Sequence, residues 1–162
     1  MNIVVLTHTG KVITRPETTR KKEKSDLYLP DFISGLSCCD TLFLRIERPG
    51  RCIPEPFARS HFNIWCRGLL LYPENFIDGS EEGFATASCL DYTSIIPYSY
   101  TLAGELPDNI LSMAARAVSE CSRFCFLRTG DFVAVELEER RHLCSRQDGA
   151  VEMKDFNFNI YF

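Results

Sequence analysis

Eight cysteines, three histidines and a scatter of carboxylates are the residues of this 162-residue chain that could carry covalent, redox or metal chemistry. A nucleophilic pair would need Cys38 or Cys39 beside a histidine, with the imidazole taking the thiol proton. Nothing in the local sequence supplies one. The vicinal Cys38 and Cys39 could also form a thiol switch, but neighbours on a strand point to opposite faces. No two cysteines make a C-x-x-C pair, and the expectation is reduced thiols rather than a disulfide framework. Cys66, Cys89, Cys121 and Cys125 sit among apolar neighbours and read as small core residues. His8, His61 and His142 fall in a loop, a helix and a charged hairpin, which does not suggest a shared ligand set.

The elements that must position these groups can be read from periodicity. Hydrophobic residues make up 45% of the chain and charged residues 25%, the balance of a globular domain, and one domain over 1–162 is expected. The net charge of −4 gives no reason to expect a nucleic acid partner. Arg15, Arg20, Lys21, Lys22 and Lys24 cluster, but Glu17, Glu23 and Asp26 dilute them, which predicts a solvated loop reaching Ser25. No stretch approaches the roughly 18 apolar residues of a membrane span. The start lacks a basic leader region, so a cytoplasmic protein is expected. Strands are predicted at Asn2–Leu6, Asp26–Leu29, Thr41–Ile46, Arg67–Tyr72, Phe132–Leu137 and the alternating run Phe156–Phe162, with two more between Phe84 and Leu102. Helices are predicted at Pro56–Trp65, where Phe57, His61 and Trp65 recur at spacing four, and at Pro107–Cys121, whose apolar stripe is the broadest in the chain. Glu138–Gly149 reads as a charged hairpin. The sum is a strand-rich α+β fold with one long helix.

Five runs, in order, resemble the bacterial branch of the fumarylacetoacetate hydrolase family. Arg15-Pro16-Glu17-Thr18 is similar to its K-P-D-T, and Leu29-Pro30-Asp31-Phe32 to its (I/L)-P-D-F. An ungapped stretch from Pro30 to about Asn75 follows, agreeing at Leu42, Arg45-Ile46, Gly50, Ile53, Phe57-Ala58 and Gly68. Phe126-Leu127-Arg128-Thr129-Gly130-Asp131 then resembles T-L-K-T-G-D, and Asp155-Phe156-Asn157 the closing L-D-F-x-I. Glu81–Leu106 matches poorly, and the chain is short for the family. The resemblance implies a layered, mixed β-sheet domain of roll or barrel type that pairs as a homodimer, or with an active paralogue.

The family's reaction, a C–C hydrolysis, decarboxylation or isomerisation of oxo acids, needs Mg²⁺, Ca²⁺ or Mn²⁺. Hard cations need oxygen ligands. Two come from an E-x-E motif, whose glutamates, two apart on a strand, face one way. A third is the aspartate of G-I-D-F. Carried across, the two glutamates fall on Cys39 and Thr41, and the aspartate on Leu70. Asp40 lies between the first two and is expected to face away from them. The family's substrate-contacting R-D falls on Glu74 and Asn75, and K-x-F-D-G-S survives as Asn75-Phe76-Ile77-Asp78-Gly79-Ser80, without its lysine. The T-G-T-P loop falls on Val135-Glu136-Leu137-Glu138, where Glu136 would repel an anionic substrate. The expectation is a pseudoenzyme with no metal, no cofactor and no catalytic residues, and a dimerising or small-acid-binding role. The alternative is a divergent hydrolase or decarboxylase of acylpyruvate or oxaloacetate type that relocates its ligands to Asp78 and Asp91. A third reading, a thiol redox protein, would require a reactive Cys38 or Cys39.

Overall fold

The computed structural model describes residues 1–21 and 25–162, so the Lys22, Glu23 and Lys24 part of the expected basic loop lies outside the described residues. Its organising element is β4 (Gly35–Ile46), a strand of twelve residues buried along nearly its whole length. Only a strand covered on both faces can carry so continuous an apolar run. β5 (Phe62–Pro73) pairs antiparallel along one edge of β4, from Leu36 opposite Pro73 to Ile46 opposite Phe62. On the other edge, β8 (Phe132–Glu136) takes Thr41–Arg45 and β9 (Arg141–Ser145) takes Gly35–Cys38. β8 in turn pairs parallel with β1 (Ile3–Leu6), and β1 antiparallel with β2 (Val12–Arg15). The short β6 (Ser94–Ile95) and β7 (Thr101–Leu102) pair with β5, giving a mixed eight-stranded sheet curled into a half-barrel. A second sheet orders β10 (Ala150–Met153), β11 (Phe158–Tyr161) and β3 (Leu27–Tyr28).

Three cores follow from strand alternation. Val4, Leu42, Leu44, Val133 and Val135 face the stripe of Leu111, Ala114, Ala117, Val118 and Cys121 on α3 (Asp108–Phe124). The opposite face gathers Ile3, Val5, Cys39, Phe43, Cys66, Leu70, Tyr72, Phe132 and Ala134 inside the curl. Leu36, Cys38, Leu69 and Leu71 fill the space toward the small sheet, against Phe158 and Ile160.

The strand-rich α+β expectation holds, with local departures. Pro56–Trp65 is not one helix. α1 covers Glu55–Ala58, a 3-10 turn follows to His61, and Phe62 already belongs to β5. Pairing of Phe62, Ile64 and Trp65 with β4 outweighs the helical spacing, which was coincidental. In Phe84–Leu102 the two strands are only two residues each, and α2 (Glu81–Ala87) occupies the start. Its signal was Ser80, whose Oγ accepts from the Gly83 amide at 3.0 Å, followed by two acidic residues in the first turn. Glu138–Gly149 forms no hairpin of its own; β9 joins β4, and the hairpin is between β10 and β11. The loop to Ser25 contains β2, and Arg15 and Lys21 are buried rather than solvated. Cys66 and Cys121 are core residues as expected, but Cys89 is exposed and Cys125 half-buried, because each sits at the rim of a helix end.

Candidate functional site

The even residues of β8, the odd residues of β4 and the even residues of β5 all point into the curl, so register alone decides which side chains meet there. Cys39 stands directly opposite Leu70 across the β4–β5 ladder, and Thr41 opposite Gly68 on one side and Glu136 on the other. The three positions matched to cation ligands are therefore brought together. All are completely buried.

None offers a charged oxygen. Thr41 donates its hydroxyl to the Cys39 carbonyl at 2.9 Å, and Cys39 directs its thiol to the Glu138 carbonyl at 3.0 Å. Burial, reinforced by Glu136, pushes the Cys39 thiol up to about 12, so it stays protonated at neutral pH. Leu70 is hydrocarbon. A neutral thiol, a backbone-bound hydroxyl and an isobutyl group do not fit a hard cation. Asp40 faces away, half exposed and paired with Arg141 at 3.4 Å, as strand alternation requires.

Residues that sequence reasoning did not assemble fill the adjoining space. Tyr72, fully buried, donates its hydroxyl to Glu136 Oε1 at 2.7 Å. The Oε2 of Glu136 accepts from the His8 amide at 3.0 Å and lies 3.2 Å from His8 Nδ1. Burial holds the Tyr72 phenol above its ordinary value, against the pull of Arg15. The Arg15 guanidinium lies 4.9 Å from the centre of the Tyr72 ring, and that of Arg140 lies 5.2 Å away. Arg15 spends its donors on the carbonyls of Leu71, Ser88 and Thr93 and the hydroxyls of Thr93 and Ser94, at 2.9–3.2 Å. Glu136 receives hydrogen bonds from Tyr72 and the His8 amide, and its charge favours the buried Arg15 guanidinium. The cue was present: Tyr72 follows Leu70 at period two, and Arg15 ends an apolar strand.

The remaining matched positions serve as braces. Glu74 Oε1 lies 2.8 Å from His142 Nδ1, and Asn75 bonds the backbone of Phe32 and Ser34. Asp78 accepts from the amide and hydroxyl of Ser80, which lowers its pKa and places it at the start of α2. Asp91 lines a separate surface hollow with Glu17, Arg20 and Tyr98. His61 bonds the Arg48 carbonyl, so each histidine has its own partner. Among the described residues, no three His, Cys, Asp or Glu side chains are grouped to hold a metal ion, and no helix is long and apolar enough to cross a membrane.

No protein-family model matches the chain, and no curated protein sequence is significantly similar to it. Solved structures are similar in fold. A Yersinia pestis CO92 protein ascribed to the fumarylacetoacetate hydrolase family superposes with a TM-score of 0.76 at 15% identity, covering 99% of this chain and 91% of that one. Fumarylpyruvate hydrolase from Pseudomonas aeruginosa, solved with Mn²⁺ and pyruvate, gives 0.65 at 14% identity over 99% and 88%. The 5-carboxymethyl-2-hydroxymuconate delta-isomerase of Mycobacterium smegmatis gives 0.68 at 14% identity over 88% and 70%.

Proposed function

We propose that this chain, which has the fold of the fumarylacetoacetate hydrolase family, is a non-catalytic member of that fold class whose cation position has been rebuilt as packed core. The observation that carries the reading is the meeting of Cys39, Thr41 and Leu70 in one fully buried cluster. The Pseudomonas hydrolase was solved with Mn²⁺ and pyruvate; here the matched side chains supply no negative charge and no carboxylate oxygen to such an ion. Removing even groups that only orient metal ligands costs about 10–100-fold in affinity, and three direct ligands are missing. The chain acts by binding, in the cytoplasm, to a second copy of itself or to an active paralogue, and needs no cofactor.

The test is twofold. Titration with Mn²⁺, followed by its electron paramagnetic resonance signal, is expected to leave the ion free at millimolar concentration. Acylpyruvates and oxaloacetate with Mg²⁺ or Mn²⁺ are expected to turn over no faster than in buffer. EDTA-sensitive turnover that disappears in Asp78→Ala would establish the divergent hydrolase or decarboxylase instead.

A further inference from the structure

β2 ends the eight-stranded sheet, and no strand lies beyond it among the described residues. Alternation decides which of its main-chain groups are left over. The Thr7 amide donates to the Lys11 carbonyl at 2.8 Å, so Lys11, Ile13 and Arg15 turn their polar main-chain groups toward β1. The other side of β1 agrees. There the Asn2 carbonyl accepts from the Phe132 amide of β8 at 2.9 Å, which leaves Ile3, Val5 and Thr7 facing β2. Val12 and Thr14 therefore direct their N–H and C=O groups outward, two donors and two acceptors at period two. Sheet edges are commonly guarded by a bulge, a proline or a covering element. Here the register with β1 is regular, and Pro16 lies outside it.

This edge opens into a groove of about 560 Å³ between the β1–β2 hairpin and α2. The whole run 11–14 lines one side, with Phe84 and the small Ala85 and Ser88 on the other. The four residues of β2 offer about 13 Å of edge. The charged residues of the lining are Lys11, Arg140 and Glu81, which leave one positive charge. Arg140 is taken up in stacking on Phe84, whereas Lys11 is exposed at the start of the edge.

We propose that this groove binds an extended peptide segment of a partner protein as an added antiparallel strand, with an acidic residue beside Lys11. Donors and acceptors that recur at period two are matched in register by another extended main chain. The small side chains of α2 leave room for that backbone, and Ile13 and Phe84 receive an apolar side chain at alternate positions. A second folded copy is the poorer occupant, because its own β2 edge lies beside its own α2. The proposal gives the binding role proposed above a place, yet holds equally for a catalyst.

The probe is acetyl-Thr-Val-Thr-Val-Asp-amide, titrated against ¹⁵N-labelled protein. It is expected to shift the β2 resonances saturably and to protect the Val12 and Thr14 amides from hydrogen exchange. Thr14→Pro removes one outward donor at an edge position where proline is tolerated, and should weaken binding by about 10-fold. Lys11→Glu should weaken it by about 3–10-fold, and replacing the peptide's Asp by Lys should restore it. The same peptide N-methylated throughout keeps its side chains, loses its donors and should not bind. No saturable shift, equal binding by both variants or by the methylated peptide, or amide protection that appears on concentrating the protein alone would overturn the proposal. None of these results bears on the Mn²⁺ titration or the turnover assay, so the two readings fail separately.

Discussion

Tyr72 and Glu136 set the chemistry of the interior at the scale of single residues. The carboxylate relies on the Tyr72 hydroxyl and the His8 amide because it is buried inside the curl. Tyr72→Phe removes one and leaves a buried oxygen unpaired, which should cost about 1–3 kcal/mol in urea unfolding. The buried thiols make a second prediction. Cys39, Cys66 and Cys121 are each raised by burial to about 12, and Cys144 to about 11, from an ordinary value of 9.0. The folded state holds these protons more tightly than the unfolded chain. Their contribution to stability is therefore complete below about pH 9 and is lost as the pH rises toward 12. Equilibrium unfolding followed from pH 7 to 11 should show stability falling only above about pH 9. At neutral pH, iodoacetamide should label the exposed Cys52 and Cys89 first and Cys39 only on unfolding. Fast labelling of native Cys39 would revive the redox reading.

At the scale of elements, β4 and β5 form the scaffold of the interior. Their ladder is fixed by backbone bonds and by alternation into three cores, none of which depends on a carboxylate at 39, 41 or 70. Gly68 is the point where that ladder tolerates least. A Cβ there would stand 2.1 Å from the Ile95 carbonyl, a backbone atom that cannot move without breaking the β5–β6 pairing. Gly68→Ala should destabilise by about 2–3 kcal/mol, lowering the melting temperature by roughly 4–12 °C for a chain of this size. An unchanged melting temperature would mean that β6 is free to leave the sheet.

Across the whole molecule, Arg15 is the tie. From the end of β2 it reaches the backbone of β5, the end of α2 and the loop into β6, joining segments more than fifty residues apart. Burial lowers its pKa, with Tyr72 and Glu136 opposing, and a guanidinium stays charged even so. Arg15→Met strands these carbonyls and leaves Glu136 short of a balancing charge, so a loss on the order of 3–5 kcal/mol is expected. Arg15→Lys keeps the charge but has three donors on a point, too few and wrongly placed for five partners, and should recover little. Hydrogen exchange would show the loss first at the Leu71 amide, which bonds the Thr93 carbonyl beside it.

The strands at 3–6, 41–46 and 132–136, the long helix and the period-two C-terminal strand were legible from the sequence, because local alternation and an apolar stripe specify them. That Cys39 and Thr41 share a face and that Asp40 points away from them was legible too, since strand alternation fixes which side chains share a face. Tertiary structure alone decided the rest. Phe62–Trp65 became strand because β4 offered an edge, and Arg15 went inside because carbonyls from three distant segments converge on it. Glu136, Tyr72, His8 and Arg140 meet only through strand order. Spacing along the chain encodes local faces; which faces are brought opposite one another depends on sheet pairing between residues far apart in sequence, and no local pattern contains that.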